Sequence, residues 1–457
     1  MVKLDQENRA GYTKQLIETL NEQNITDFRE LFFELHPTDQ IDVFNSITKK
    51  QRITVYKYIS PEEFAEIFQG LELYKQKQYI AELQQNYAID VINHMSYDDI
   101  ADFLGELPEI TKDLYLGMME KEEAAEVIHL LKYEDQTAGA IMTTEFISVS
   151  TTETVSDVMV RLRTEAPEAE TIYYLYVIDH QFRLVGVVSL RDLIISPLEE
   201  TIEEVMLSRV RAVETHTDQE EVARIIRKYD FLAIPVTAQG KLVGIITVDD
   251  IMDVVEEETE EDFGEMFAVR GSLDTNVTSY TAAKKRSPWI IMLMFLGLIT
   301  AGVIGQFEET LEEVILLSVF IPLIMGSAGN TGTQALAVVV RSLALGTVDR
   351  STISKMLRRE FGTGIMLGII CAFTLLILIP LIYPQGGFWL AGIVGLSLFV
   401  TLSISTMVGA TVPLIINKLK IDPAVASGPF ITTINDLLGL IIYFSIATAL
   451  LDYMPPQ

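Results

Sequence analysis

The last 171 residues of this 457-residue chain limit its fold more than any other stretch. Residues 287–457 hold 9 acidic and 7 basic residues, against 55 and 27 in residues 1–286, so −28 of the net −30 lies in the first part. Within the poor-in-charge block, the runs 288–306, 314–340, 361–383, 388–416 and 428–451 are each about as long as a bilayer crossing requires. Hydrocarbon supplies no hydrogen bonds, so such runs cross as helices that satisfy their own backbone. Five spans are therefore expected. The connections test the count, because cytoplasmic loops are rich in Lys and Arg. Lys284, Lys285, Arg286, Arg341, Arg350, Lys355, Arg358, Arg359, Lys418 and Lys420 all fall on one side, and none falls in 307–313, 383–387 or 452–457. That places the N-terminus in the cytoplasm and the C-terminus outside. The first residues, MVKLDQENRAGYTKQ, lack a signal-type apolar stretch.

The fifth run, GPFITTINDLLGLIIYFSIATALL, contains Asp436. An unpaired carboxylate in hydrocarbon costs about 2.5–3.5 kcal/mol on insertion scales. Gly428, Thr432 and Asp436 are spaced at i, i+4 and i+8, one face of a helix. Span 4 repeats that pattern in Thr401, Ser405, Gly409 and Pro413, and span 2 carries PLIMGSAGNTGTQ. Small residues in these stripes are read either as close helix packing or as the wall of an ion path. Asp436 has no Lys, Arg or His in the cut spans to neutralise it, so it is either protonated or faces water and a cation. The cation reading is the stronger, with Asn330, Gln334, Thr432 and Asn435 as neutral helpers. Every histidine precedes the membrane block and Cys371 is the only cysteine, so a metal there must use oxygen ligands and be a hard cation.

The acidic part contains two repeats. Ile47, Ile59, Leu71, Leu83, Met95, Leu107, Met119 and Leu131 recur every 12 residues, often followed by helix-start residues such as 60-SPEE and 96-SYDD. This predicts short helices paired into 24-residue hairpins and stacked as an array. Then QFRLVGVVSLRDLI at 181–194 reappears as QGKLVGIITVDDIM at 239–252, each copy reading as helix, strand, turn, strand, helix. The fold class is thus a multidomain membrane protein: an all-α helical-repeat N domain, an α/β pair and an all-α five-helix transmembrane domain.

Taken together, GSAGNTGTQ at 326–334, GPFITTINDLLG at 428–439 and the two soluble repeats resemble the MgtE family of magnesium channels. The resemblance implies a helical N domain over 1–135, CBS repeats over 136–200 and 201–262, a connecting (plug) helix over 263–286 and a membrane domain over 287–457. It also implies a homodimer in the lipid bilayer whose axial pore is lined by spans 2 and 5. Asp436 then matches the aspartate that binds hydrated Mg2+, with Thr432, Asn330 and Gly329 beside it. Intracellular Mg2+ is expected to close the pore by bridging Glu66, Asp98 and Asp102 of the N domain with Asp218, Glu220, Asp230, Asp250 and Asp253 of the CBS pair. Glu258, Glu261, Asp262 and Asp422 complete that regulatory set. CBS units also bind nucleotides, which makes ATP a candidate ligand at Ser189, Arg191, Asp192 and Phe231. Mg2+ import across the plasma membrane is the expected function, with neither enzymatic activity nor nucleic acid. An ion-coupled secondary transporter is the alternative, disfavoured by the absence of an inverted repeat and of a second acid in the span cores.

Overall fold

The computed structural model describes residues 3–5, 8–269, 277–344, 350–384, 387–420 and 426–451. Two compact units divide within one helix, Met1–Val254 and Val255–Gln457.

The 12-residue period marks helix ends in the first unit. After α1 (Arg9–Asn21) and α2 (Ile25–Glu34) come α3 (Pro37–Ser46), α4 (Lys49–Val55), α5 (Pro61–Gln69), α6 (Leu73–Ile80), α7 (Gln85–Ile92), α8 (Tyr97–Gly105), α9 (Glu109–Leu116) and α10 (Lys121–Leu130). Helices α3 to α10 start at 37, 49, 61, 73, 85, 97, 109 and 121, and each periodic residue lies just past the end of one of them. Ile47, Ile59, Leu71, Met95 and Met119 are buried there, so the repeat is a series of apolar plugs beneath helix C-termini. Pro37 and Pro61 occupy first-turn positions where no amide is needed. Ser60 and Glu63 cap α5 reciprocally, at 2.8 and 3.2 Å. Alternate helices pack together, α3 on α5, α5 on α7 and α8 on α10, which makes 24 residues the structural unit. Polar staples join residues 30 apart. The Arg52 guanidinium donates to Glu82 at 2.8 Å and lies 4.2 Å over the Tyr79 ring. Gln69 donates to Asp99 at 2.6 Å.

Each CBS-like copy forms a three-stranded sheet. The first comprises β1 (Phe146–Ser150), β2 (Thr171–Ile178) and β3 (Leu184–Ser189), and the second β4 (Val213–Glu214), β5 (Ala233–Ala238) and β6 (Lys241–Thr247). In both, the first pair is parallel and the second antiparallel, as in Val149 opposite Val177 and Ile234 opposite Ile246. A parallel pair needs a crossover, supplied by α11 (Val155–Glu165) and α14 (Gln219–Tyr229). The closing helices are α12 (Leu190–Ile195) and α15 (Val248–Met266), with α13 (Ile202–Val205) between the copies. The expected helix, strand, turn, strand, helix order is present, preceded in each copy by the additional parallel strand. Val222, Ile226, Ile234 and Ile246 of the second copy share one core with the helical array, whereas the first copy keeps a separate core around Val149, Leu175 and Val188.

The second unit holds α16 (Ser279–Gln306), α17 (Glu308–Glu313), α18 (Ile321–Ala344), α19 (Arg350–Ile382), α20 (Gly387–Lys418) and α21 (Gly428–Leu451). Five helical stretches among the described residues are long and apolar enough to cross a membrane. The acidic run 256–262 belongs to α15. The span expected for a connecting helix, 263–286, is divided between the end of α15 and the start of α16, and 270–276 lie outside the described residues. Helix α20 is the hub of the spans, with α18, α19 and α21 packed on it. Glycines set those approaches. A Cβ on Gly368 would lie 2.9 Å from the Phe399 backbone, and one on Gly364 2.9 Å from the Leu402 carbonyl oxygen. Gly364 and Gly368 thus make a small-xxx-small seam between α19 and α20.

Candidate ion pathway and regulatory carboxylates

Helices α18 and α21 meet around Gly329. A Cβ there would lie 2.9 Å from Asp436 Oδ1 and 3.3 Å from Thr432 Cβ, so the glycine makes room for both side chains. Asp436 Oδ1 is buried and has no hydrogen-bond partner among the described residues. Thr432 Oγ1 donates to the Gly428 carbonyl at 2.8 Å and lies 3.1 Å from Thr333 Oγ1. Its hydroxyl is therefore occupied by its own helix, and its methyl packs on Gly329. Next to Asp436, Asn435 is fully buried against Gly332, and neither its Oδ1 nor its Nδ2 has a partner among the described residues. Leaving such groups unmatched is costly unless a ligand or water answers them.

Three of the four expected pore residues, Asp436, Thr432 and Gly329, come together within one chain. Asn330 does not join them. It points away, exposed, on a face of α18 shared with Gly326 and Gln334 at i−4 and i+4. An outward amide stripe on a membrane helix is stable only against water or another protein surface. The other small-residue stripe resolves differently. Thr401, Ser405, Gly409 and Pro413 are buried within the bundle, and a Cβ on Gly439 of α21 would lie 3.1 Å from Thr401 Cγ2. Gly409 of that stripe packs on the Gly332 backbone, whereas the buried Thr401 hydroxyl has no partner among the described residues.

Sequence reading missed Glu360. Its cut of the third span began at 361, but α19 begins at Arg350 and buries Glu360, which accepts from Arg359 Nη2 at 2.9 Å. Glu360 adjoins Arg358 and Arg359 near the start of α19, at the edge of the apolar run and not in its core. Hydropathy alone draws the span edge after 358-RRE, and only helix length reveals the carboxylate inside.

In the soluble unit, the expected regulatory acids divide into groups. Asp98 of α8 and Asp250 of α15 are brought close enough to repel each other. Burial lifts the Asp250 carboxyl to about 7; hydrogen bonds from Thr247 oppose the rise and the Asp98 charge adds to it. Burial together with the charges of Asp99 and Glu170 lifts Asp98 to about 6. Asp99, Glu170 and Asp249 are therefore members of the cluster that the sequence did not single out. Asp249 and Asp99 stand in the first turns of α15 and α8, where acids are read as helix-dipole partners.

Elsewhere the set is dispersed. Glu66 and Asp102 are exposed on α5 and α8. Asp218 caps α14 by accepting from the Glu220 amide at 2.9 Å, and Asp230 ends the same helix in the left-handed region at φ 52°. Asp253 is exposed one turn beyond Asp250. Glu258, Glu261 and Asp262 share a face of α15, and Asp422 lies outside the described residues. Among the described residues no three His, Cys, Asp or Glu side chains converge as a ready-made ligand set.

The candidate nucleotide pair Ser189 and Asp192, and the equivalent Thr247 and Asp250 of the second copy, are closed on themselves. Ser189 Oγ donates to Asp192 at 2.6 Å and Thr247 Oγ1 donates to Asp250 at 2.5 Å, each capping the helix it begins. Arg191 is exposed, and Phe231 stacks on Tyr229 with centroids 5.5 Å apart, while Arg211 covers Tyr229 at 4.3 Å.

Comparison with known proteins covers nearly the whole chain. Residues 321–446 match the family described as a divalent cation transporter, residues 35–136 match the MgtE intracellular N domain, and residues 138–199 and 202–257 match CBS domains. A magnesium transporter MgtE of Enterococcus faecalis is 44% identical over 96% of this chain and 97% of its own. One of Bacillus subtilis is 42% identical over 95% and 96%. The crystal structure of the cytosolic domain of the Mg2+ channel MgtE in complex with ATP is similar at 38% identity and TM-score 0.51, covering 53% of this chain and 99% of that one.

Proposed function

Because the chain belongs to the MgtE family of divalent cation transporters, we propose that it is a Mg2+ channel of the plasma membrane, closed by Mg2+ bound to its acidic cytoplasmic part. The observation that carries this reading is the Asp436 carboxylate, set in a membrane helix over Gly329 with its Oδ1 unmatched. Mg2+ gives up water reluctantly and is usually held through one or two carboxylates with several waters retained. A single carboxylate per chain fits that habit if two copies meet about an axis, each presenting Asp436. The outward Asn330 of α18 gives the second copy, or the water column between copies, a polar surface to face. With the N domain in the cytoplasm and five spans, the C-terminus lies outside. Entry is driven by the membrane potential, worth about 2.3 kcal/mol per charge per 100 mV.

Closure is a population shift that Mg2+ produces only by binding the closed arrangement better than the open one. The repelling acids around Asp98 and Asp250 supply that difference, and Glu258, Glu261 and Asp262 extend the charge along α15. ATP is a further ligand of the CBS pair in this reading, supported by the bound nucleotide named for the similar cytosolic domain.

The carboxyl pKa values give the gating reading a signed test. Asp98 and Asp250 hold protons in the folded state up to about 6 and about 7, whereas unfolded aspartates lose them near 4. Folding therefore binds extra protons across that window, and stability falls as pH rises through it, with the full cost present above about 7. Full-length protein in detergent without Mg2+ is expected to melt at progressively lower temperature from pH 5 to 8. Mg2+ at about 100 times its dissociation constant adds about 2.7 kcal/mol and restores the melting temperature at pH 8. Equal restoration by Na+ at matched ionic strength refutes a specific divalent site. Coupled transport is separated by electrical recording: Mg2+ current is expected to persist at symmetrical pH without Na+, and current that needs either gradient supports the transporter reading.

A further inference from the structure

A cavity of about 450 Å³ lies between the cytoplasmic half of α18, the first half of α19 and Thr406 of α20. It is separate from the Asp436 contacts, and transport through the α18 and α21 face does not use it. Its charged groups are Arg341, Arg359 and Glu360. Arg359 gives both Nε and Nη2 to one oxygen of the buried Glu360, at 3.1 and 2.9 Å. The carboxylate thus fixes this guanidinium at the cavity wall, with Nη1 uncommitted among the described residues. Arg341 has no carboxylate or other acceptor among the described residues. Among the described residues, two guanidiniums against one carboxylate leave the lining at +1, with Gln334 as a further hydrogen-bonding side chain, while the Ser342 and Thr363 hydroxyls donate to their own helices at 2.8 and 2.9 Å. A cation is disfavoured there and an anion with several acceptor oxygens is favoured, because guanidinium forks match such oxygens.

The position selects the source of that anion. The cavity is at the level of Lys355, Arg358 and Arg359, where α19 leaves the cytoplasmic surface, and basic pockets between helices at that level suit lipid headgroups. Val338, 37% exposed, and Leu367 line it on the apolar side. Beyond them α19 presents Met366 and Ile370, both exposed, as a surface for acyl chains. We propose that this cavity binds the phosphate of an anionic phospholipid from the inner leaflet, held by Arg341 and Arg359, with Glu360 as the positioning residue for Arg359.

The test is native mass spectrometry of full-length protein in detergent, titrated with phosphatidylglycerol or with phosphatidylcholine of the same chains. One phosphatidylglycerol per chain is expected to be retained in preference to phosphatidylcholine. An arginine near an anionic headgroup is worth about fivefold in affinity, so Arg341→Gln with Arg359→Gln is expected to weaken phosphatidylglycerol about 30-fold. The paired Lys variants are expected to recover most of that loss, and Arg358→Gln, on the same helix outside the cavity, to change nothing. Arg341→Gln alone, at an exposed position, keeps the test open if the double variant misfolds, with about a fivefold loss expected. Wild-type retention in both Gln variants, or equal retention of the two lipids, overturns the proposal. Displacement of phosphatidylglycerol by 10 mM inorganic phosphate (a concentration on the order of 10 mM suffices to compete with weak ionic contacts) overturns the lipid assignment in favour of a soluble anion.

Discussion

Gly409→Ala is expected to lower the melting temperature of the purified membrane protein by about 10 °C or more. A Cβ on Gly409 would run into the Gly332 carbonyl oxygen and lie 2.8 Å from its carbonyl carbon. Both are backbone atoms, so no side chain can rotate aside, and relief requires α18 and α20 to separate. Overpacking of cores costs about 1–3 kcal/mol where side chains can yield, and a backbone clash belongs at or beyond the upper end. For a unit of this size each kcal/mol shifts melting by about 2–4 °C. The effect reaches the ion path because Gly332 also accommodates Asn435, and Gly329 lies one turn before it on α18. Gly302→Ala on α16, where a Cβ meets nothing within 4 Å, is the matched control and is expected to leave melting unchanged. Fluorescence-detected size exclusion after heating reads both. Equal melting of Gly409→Ala and the wild type would mean that α18 and α20 are not in backbone contact.

The stripe containing Gly409 illustrates what a sequence can and cannot disclose. Its spacing placed Thr401, Ser405, Gly409 and Pro413 on one helix face, but the same residue types serve packing and ion contact, and only the neighbour across the face decides. For α20 the neighbour is the Gly332 backbone. For α21 it is Gly329, beside a carboxylate whose buried oxygen is unmatched. The 12-residue period was legible in full because it is a local property: each apolar residue ends the helix that precedes it. The tandem α/β copies were legible for the same reason, through repeated strand and turn segments. Long-range electrostatics was not. Asp98 and Asp250 were named singly, but the company of Asp99 and Asp249 depends on how the array and the second α/β copy share a core, and Glu170 comes from the first copy, just before β2. Glu360 was lost at a hydropathy boundary, since three charged residues in a row look like a loop until the helix is seen to run through them.

Asp436 carries the largest functional expectation. A carboxylate in a membrane helix is retained against its insertion cost only where it does something, and here its buried oxygen faces the small residue that makes room for it. Hydrogen bonds to a charged group are worth about 1.5–3 kcal/mol each, so removing one such contact from each of two facing copies costs about 3 kcal/mol at least, or about 100-fold in ion occupancy. Asp436→Asn keeps the volume and most of the packing, which separates loss of charge from loss of fold. Melting of that variant is expected to match or exceed the wild type, because the unmatched charge is gone. The decisive measurement is Mg2+ influx into liposomes containing purified wild-type protein or Asp436→Asn, with an inside-negative potential and no Na+ or proton gradient. Wild-type influx reduced at least about 100-fold in a stably folded Asp436→Asn is the expected result, and undiminished influx in that variant would contradict Asp436 as the ion site.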